Sequence, residues 1–278
     1  MATLTFPSII PNAISFGIKY STQINISPLS GSVQTIEVPG ARWLADLSYD
    51  QLEPAESREL IAFLTQLRGS SGRFYLSDFS HLNPLGSNLS AGLITVDVTQ
   101  DTLLDSGTAL GTHSTTTIED TTADFIVDAV ISVGDQIVNE VYGETRKIVS
   151  FTATEITVSS TWTQPLDTQA YSIYPAQTGN SIYSTGWDAT QTGLLLPGDY
   201  IQLEGPELKI VTESVDSDGS GNALITFEPP LRVGPNNGST IETSNCVAPM
   251  LLSQDESRWS VDNAGLLANI NITCIEGF

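Results

Sequence analysis

Three stretches of the chain carry residue types that do chemistry in other proteins. The first is Ser77-Asp78-Phe79-Ser80-His81. Asp78, Ser80 and His81 supply the side chains of a hydrolytic triad. A triad needs those groups brought together by the fold beside an oxyanion hole, which adjacency in sequence does not provide. The chain has no G-x-S-x-G elbow to present a serine nucleophile. The expectation is a polar loop leaving a sheet. The other histidine, His113, lies in Gly111-Thr112-His113-Ser114 and is expected to be an exposed loop residue.

The second stretch is Asp216-Ser217-Asp218-Gly219-Ser220-Gly221-Asn222. Asp216, Asp218 and Ser220 occupy the first, third and fifth positions of a calcium loop, Gly221 the sixth, and Asn222 follows. Such a loop closes on a bidentate Glu at its twelfth position. Phe227 stands there, and both flanks read as strands. A polar hairpin tip with glycines taking positive φ accounts for the same residues. The third stretch is aromatic. Trp162, Tyr183, Trp187 and Tyr200 could stack on a sugar, or fill barrel cores and interfaces.

Other catalytic signatures are missing from the sequence. There is no H-E-x-x-H, no C-x-x-C, no phosphate-cradling loop and no dinucleotide fingerprint. Acidic pairs of the kind glycosidases use could be drawn from 32 Asp and Glu residues, so no particular pair is informative. The expectation is a protein without catalytic residues, metal or cofactor.

The 278 residues suffice for two or three small domains. Forty per cent are hydrophobic and 21 are aromatic, which argues for folded cores rather than acidic disorder. Ten basic residues against 32 acidic ones leave a net charge of −22. Affinity for nucleic acid comes mainly from cations neutralising phosphates, so stable binding of DNA is not expected. Such a surface suits a soluble particle or a passage through which DNA slides. Cys246 and Cys274 are the only cysteines and sit in apolar runs, where buried thiols are expected, their pairing left open. The N-terminal stretch lacks a basic n-region and carries prolines, unlike a signal peptide. No apolar run is long enough to span a membrane, and folding in a cytoplasm is expected.

The elements that would position these residues are overwhelmingly β. Short runs of β-branched and aromatic residues alternate with Gly, Asn, Asp, Ser and Pro turns. Strands are predicted over Ala13–Tyr20, Val33–Val38, Arg42–Tyr49, Arg73–Leu76, Leu93–Val98, Gln136–Asn139, Thr145–Phe151, Glu155–Val158, Tyr171–Tyr174, Tyr200–Leu203, Leu208–Glu213, Ala223–Glu228, Asn245–Leu252, Arg258–Val261 and Ala268–Ile275. One helix is predicted over Pro54–Arg68. Pro54 suits its first turn, Glu56 and Glu59 complement its dipole, and Arg68-Gly69 stops it. Leu60, Ile61, Leu64 and Leu67 form its apolar face.

Gly134-Asp135 and Gly198-Asp199 each precede an apolar strand. They stand either for two barrels of similar design or for unrelated tight turns.

Ala41 to His81 contains a strand with Trp43, then Leu52, and a helix start with Glu56. Phe63, Leu64, Leu67 and Gly69 follow, and then a strand with the aromatic pair Phe74 and Tyr75. In this order of parts the chain resembles the distal tail proteins of long-tailed phages, including minor tail proteins of lambda-like phages. The stretches from Gly193 to Arg232 and from Arg258 to Phe278, with Trp259 and Glu276, resemble segments of the same proteins.

The expected fold is mainly β: a β-sandwich with one packed α-helix, as the resemblance implies, plus two small inserted β-barrel-like domains read from the strand and turn pattern, of which the Thr-rich block lies outside the resemblance. On that reading residues 1–98 and 243–278 form the ring-building sandwich. Residues 99–175 form an inserted Thr/Ser-rich β-domain, and residues 176–242 form a small barrel. The resemblance further implies a virion location at the tail tip and a self-assembled ring, a hexamer in that family. Its expected neighbours are the tail tube protein, the baseplate hub protein and the tape measure protein. Trp43, Leu60, Leu64, Leu67, Phe74, Tyr75 and Trp259 are the candidate structural and interface residues. Two other readings stand beside it: a receptor- or glycan-binding module, and an enzyme acting on cell-wall polysaccharide, for which the sequence offers no residue set.

Overall fold

The computed structural model describes residues 3–86, 92–127, 131–164, 167–261 and 267–277. Part of the C-terminal segment that carries the resemblance, Asp262 to Leu266, lies outside the described residues, as do Met1 and Phe278. The chain is mainly β, with one α-helix among the described residues. In chain order the strands are β1 Leu4–Thr5, β2 Ala13–Ile26, β3 Val33–Leu52, β4 Phe74–Ser77, β5 Thr95–Val96 and β6 Asp105–Thr108. Next come β7 Thr117–Glu119, β8 Gln136–Asn139, β9 Glu144–Phe151, β10 Glu155–Val158, β11 Ala170–Tyr174 and β12 Ser181–Thr185. The last are β13 Tyr200–Leu203, β14 Glu207–Val211, β15 Asn222–Glu228, β16 Val247–Leu252, β17 Trp259–Val261 and β18 Ala268–Glu276. The helix α1 spans Pro54–Leu67.

The chain folds as two compact units. The first holds residues 1–83, 206–208 and 244–278; the second holds residues 84–205 and 209–243. The first unit is built on a seven-stranded sheet in the order β1-β4-β16-β18-β3-β2, with β17 also paired to β18. Strands from both ends of the sequence alternate in it, so neither end can complete the sheet alone. The chain leaves this unit after Asn83, re-enters it briefly at 206–208 and returns again at Ser244, beside which Asn245 N–H donates to Leu82 O at 2.6 Å.

The helix starts as its sequence suggests, with Pro54 at the first turn, where a missing N–H loses no bond. It stops at Arg68, which itself takes the left-handed conformation (φ 54°, ψ 51°) ahead of Gly69. The apolar face differs from the predicted one in one residue. Phe63 is buried beside Leu60, Leu64 and Leu67, whereas Ile61 is half-buried. The aromatic ring decides this: Phe63 stands edge-on to Phe6 at 5.1 Å and to Phe74 at 5.5 Å, closing an aromatic cluster under the helix. Leu64, on the same helix face, is 4% exposed. Leu64→Ala is expected to destabilise the first unit by about 2–5 kcal/mol, the range for core leucine truncation. A denaturant midpoint equal to that of the parent protein would contradict the packing of this face.

β3 is one long strand where two were predicted. The Pro39-Gly40 step, which lay between the two predicted strands, falls inside it as an irregularity: Gly40 takes φ 131°, and the β2–β3 register shifts between Lys19 and Ser21. β18 pairs with β3 only from Leu44 to Leu52. From Lys19 to Arg42 the hairpin runs on as two strands alone.

The second unit contains two curled half-barrel sheets with separate cores. One has the order β6-β11-β8-β9-β10-β7 over Ile118, Phe125, Ile137, Ile148, Trp162 and Tyr171. The other has the order β13-β14-β15-β12-β5 over Val98, Trp187, Leu194, Ile201, Ile225 and Phe227. The predicted boundaries shift here. β5 pairs with β12, so residues 84–98 belong with the second unit rather than with the sandwich. The stretches 99–175 and 176–242, expected as two domains, fall into one compact unit apart from residues 206–208. A polar seam joins their sheets. Gln136 Nε2 donates to Pro235 O, Asn237 N–H donates to Gln136 Oε1, and Val98 N–H donates to Asn237 Oδ1, at 2.8–3.0 Å.

Four strands escaped the prediction: β1, β6, β7 and β12. They are short or polar, and partners across the sheet define them.

The two Gly-Asp turns are one device used twice. Gly134 has φ 103° and Gly198 has φ 99°. Gly134 N–H donates to Ile148 O, and Gly198 N–H donates to Val211 O, both at 2.8 Å. Asp135 Oδ2 accepts from Ser132 N–H at 2.7 Å, and Asp199 Oδ2 accepts from Leu196 N–H at 2.8 Å. The remaining carboxylate oxygen of each holds a further backbone N–H, that of Ala176 or Leu85. The strand before each turn and the three after it have matching order, β7-β10-β9-β8 in one sheet and β12-β15-β14-β13 in the other. Of the two possibilities left open by the sequence, the hydrogen bonds favour two modules of similar design.

Candidate functional site

The Asp78, Ser80 and His81 side chains do meet. Ser80 Oγ donates to Asp78 Oδ1 at 2.6 Å. His81 Nδ1 lies 2.7 Å from Ser80 Oγ and 3.1 Å from Asp78 Oδ2. A triad requires the serine on one imidazole nitrogen and the carboxylate on the other. Here both crowd the same nitrogen, so His81 has no relay path from one to the other. Ser80 N–H also donates to Asp78 Oδ1, and His81 N–H donates to Asp78 O. The arrangement is a side-chain-capped turn that shapes the exit from β4.

His113 differs from its expectation. It is half-buried, and its Nδ1 accepts from Glu119 N–H at 3.1 Å, tying the loop to β7. Its Nε2 meets no hydrogen-bond partner among the described residues.

The calcium-like loop is occupied by its own backbone. Asp218 Oδ1 accepts from Ser220 N–H at 2.8 Å and from Asn222 N–H at 2.9 Å. Those bonds, from Asn222 first and then Ser220, hold the Asp218 carboxyl below the usual carboxylate range. Asp216 Oδ1 accepts from Gly193 N–H, and the Asn222 side-chain amide donates to Gln100 Oε1. Gly221 takes φ 80° at the tip. The loop is thus a hairpin turn whose acids cap backbone donors. No group of three or more His, Cys, Asp or Glu among the described residues could hold a metal ion.

The aromatic residues form no platform. Trp162 fills the core of one sheet in the second unit and Trp187 the core of the other. Trp187 Nε1 donates to Ser184 Oγ at 2.9 Å. Tyr200 is buried and Tyr183 half-buried. A groove of about 70 Å³ in the first unit is lined by Leu64, Leu252, Glu256, Ser257 and Asn271 among others. It is shallow and half open to solvent, with polar Glu256, Ser257 and Asn271 beside apolar Leu64 and Leu252.

The residues named from the resemblance sit mostly in the first unit's core. Trp43 is 1% exposed, its ring 5.3 Å from that of Phe16, and its Nε1 donates to Leu208 O at 2.9 Å. The Trp43 N–H donates to the buried carboxylate of Glu276 at 3.1 Å, linking β3 to β18. Phe74 is fully buried and Tyr75, on the opposite face of β4, is half-buried. Trp259 is 47% exposed on β17, so it packs far less than the other six. Cys246 and Cys274 are both buried, and neither is in a disulfide. Burial, with the Asp46 charge adding to it, pushes the Cys274 thiol up to about 12. A thiol so held is inert at neutral pH.

What these geometries leave as a candidate functional feature is a surface. The β2–β3 hairpin from Ser21 to Val38 exposes all its described side chains except Ser27, which is half-buried. Ile24, Ile26, Leu29, Val33, Ile36 and Val38 are exposed along it. Sequence reading missed this feature, although the alternation in Gln23-Ile24-Asn25-Ile26 was visible. Comparison with family models finds no match to the chain, and a search of curated proteins finds none either.

Proposed function

We propose that the protein is a structural component of a tailed-phage virion, forming a ring that joins the tail tube to the tail-tip hub. The observation that carries the reading is the first unit. It is a sheet woven from both chain ends, braced by α1, with an exposed apolar hairpin extending from its β2–β3 edge. The resemblance of Ala41–His81 to distal tail proteins supports it, and Trp43, Phe63, Leu64, Leu67 and Phe74 from that stretch form the unit's interior. A ring closes when each subunit repeats one heterologous contact. The subunit's neighbours in this reading are further copies of itself, the tube protein, the hub protein and the tape measure protein, at the tip of the tail.

The mass of the purified protein tests the reading. A defined ring supports it; a single chain that binds host polysaccharide supports a receptor-binding module instead. Charge gives a second test. DNA must pass such a ring, and basic contacts would retain phosphates by releasing counterions. With a net charge of −22 per subunit, the surface facing the axis is expected to be neutral or acidic. Repulsion between copies is screened at physiological salt, where the Debye length is about 8 Å. Assembly should therefore strengthen as salt rises from low values. Assembled rings should give no gel shift of double-stranded DNA even at low ionic strength. Tight, salt-sensitive binding would contradict an acidic passage and point to Arg42, Arg58 or Arg73 lining it.

A further inference from the structure

The two Gly-Asp turns allow the modules of the second unit to be compared residue by residue. Counted from the turns, Ile137 of β8 corresponds to Ile201 of β13, and both are fully buried. The bonds from Gly134 and Gly198 make Ile148 correspond to Val211. Ile148 pairs with Val158, and Val211 with Phe227. Two residues before these partners, Ile156 corresponds to Ile225, and they pair with Ile118 and Ile182 on the strand beyond. All of these side chains are buried. A slip of one residue in any ladder would turn them to the other face, so the registers agree from strand to strand. The β-bulge between Thr157 and Val158 leaves this correspondence intact.

A side-chain bond is repeated as well. Arg146 and Lys209 stand two residues before Ile148 and Val211. Arg146 Nε donates to Thr161 O at 3.1 Å, and Lys209 Nζ donates to Pro230 O at 2.9 Å. Those carbonyls lie three residues after Val158 and Phe227. Each cation also stands over a ring, Trp162 at 5.2 Å for Arg146 and Phe227 at 5.9 Å for Lys209. Two unrelated sheets can share a tight turn, but nothing in strand pairing makes them place a cation on the same carbonyl.

The flanking strands correspond too, and they fix the order of the chain. Ala109 N–H donates to Gln169 O and Val96 N–H to Ser239 O, both at 2.9 Å, beside the pairs Thr108↔Ala170 and Thr95↔Thr240. Val138↔Ser172 matches Gln202↔Glu242. β5 is thus the counterpart of β6, and residues 240–242 are the counterpart of β11. One module runs without interruption from β6 to β11. The other has its first strand at β5 and its second at β12, and the first module occupies the interval between them. The ends of that interval meet: Leu104 N–H donates to Ile173 O at 2.8 Å, and Gln177 Nε2 donates to Asp101 Oδ2 at 2.9 Å. The closure differs between the two, since β5 pairs antiparallel with β12 whereas Leu110 and Asp120 form a parallel bridge.

We infer that the second unit is one module carrying a complete copy of itself between its first and second strands, and that the inserted copy, residues 102–176, is an autonomous cassette. The surrounding module keeps its own ladders and core without it, so the cassette adds surface to the protein without being part of its frame. Insertions are tolerated where chain ends meet at an exposed loop. Whether the protein forms a ring does not bear on this. In the first experiment residues 102–176 are replaced by Gly-Ser-Gly in the full chain, and hydrogen exchange reads the β12 to β15 amides. The seam at Gln136 and the packing of Tyr174 on the outer core are lost with the cassette. Protection within about tenfold of the parent is therefore expected. A shortened chain that folds but has lost protection across these strands overturns the inference. The second experiment places Ile156→Ala or Ile225→Ala, at corresponding core positions, in the intact protein. Each should lower protection at least about tenfold in its own module and leave the other within about threefold. If Ile156→Ala lowers protection in β12 to β15 as much as in β8 to β11, the two copies are one cooperative unit and there is no cassette. Should the shortened chain fail to fold, that comparison decides: confinement of the loss to β8 to β11 upholds the cassette, and its spread overturns it.

Discussion

Trp43→Ala should lower the stability of the first unit by about 3–5 kcal/mol, the range for deleting a buried aromatic side chain. The indole is almost wholly enclosed, packs on Phe16, and holds the Leu208 carbonyl through its N–H. Two effects are superposed in that number, and Trp43→Phe separates them. Phenylalanine keeps most of the ring but leaves the Leu208 oxygen without this donor, so about 1–3 kcal/mol of loss is expected from the missing bond. Two units need not unfold together, so the measurement should follow the first unit alone. Hydrogen-exchange protection of β3 and β18 amides does this. Were Trp43→Ala to leave their protection within about 0.5 kcal/mol of the parent, as a surface change does, the placement of the indole would be wrong.

A second large effect is expected at Asp120, in the second unit. Its carboxylate is buried under β6, accepting from Thr122 N–H at 2.9 Å, Thr122 Oγ1 at 2.6 Å and the Tyr171 hydroxyl at 2.9 Å. Gly107 faces Tyr171 across β6–β11, and any Cβ there would meet the Tyr171 hydroxyl at 2.5 Å and Asp120 Oδ2 at 2.7 Å. A glycine is what lets the pair sit there. Burial alone would raise the Asp120 pKa. The bonds from Thr122, Tyr171 and Ala123 outweigh it and hold the carboxyl below its usual value. Burial first, then the bond to Asp120, pushes the Tyr171 phenol well above its ordinary value.

Because the folded carboxyl is the stronger acid, its stabilising contribution is present above the unfolded value of about 3.9. It fades as pH falls through the folded value. Asp120→Ala strands several donors at once and should destabilise this sheet by about 3 kcal/mol, with each unsatisfied group costing about 1–3. Asp120→Asn should lose less at neutral pH and remove most of the acid-dependent change below about pH 4. Protection of β11 amides across a pH series reads both. An unchanged acid profile in Asp120→Asn would assign that pH dependence to another carboxyl.

How much of this was legible in the sequence follows from where the information lies. The helix was readable because its start, its stop and most of its apolar face are local: Pro54, Arg68-Gly69, and Leu60, Leu64 and Leu67 at helical spacing. Gln136–Asn139, Glu155–Val158 and Tyr200–Leu203 were bounded correctly because tight turns flank apolar runs. β6, with the sequence Asp-Ser-Gly-Thr, was not readable. Nothing in those residues prefers a strand, and only pairing with β11 makes one. β1 and β7 are only two and three residues long, too short for a period to show, whereas β12, Ser-Ile-Tyr-Ser-Thr, carries strand-favouring residues that the sequence reading passed over.

The candidate chemistry divides in the same way. The sequence supplied Asp78, Ser80 and His81 but not the fact that two of them compete for one imidazole nitrogen. It supplied the acids of Asp216–Asn222 but not the backbone donors that already occupy them. It placed the Gly-Asp turns, whose shared hydrogen bonds needed Ile148 and Val211, residues brought in by the next strand of each sheet. Pro39-Gly40 read as the end of a strand because the local signal for a turn is strong. The ladder between β2 and β3 overrode it, and the long exposed arm is the consequence. Composition alone determined the acidity and the β-rich texture. Which side chains meet, and which apolar face is left bare, was decided by pairings between residues far apart in sequence, which local physics cannot encode.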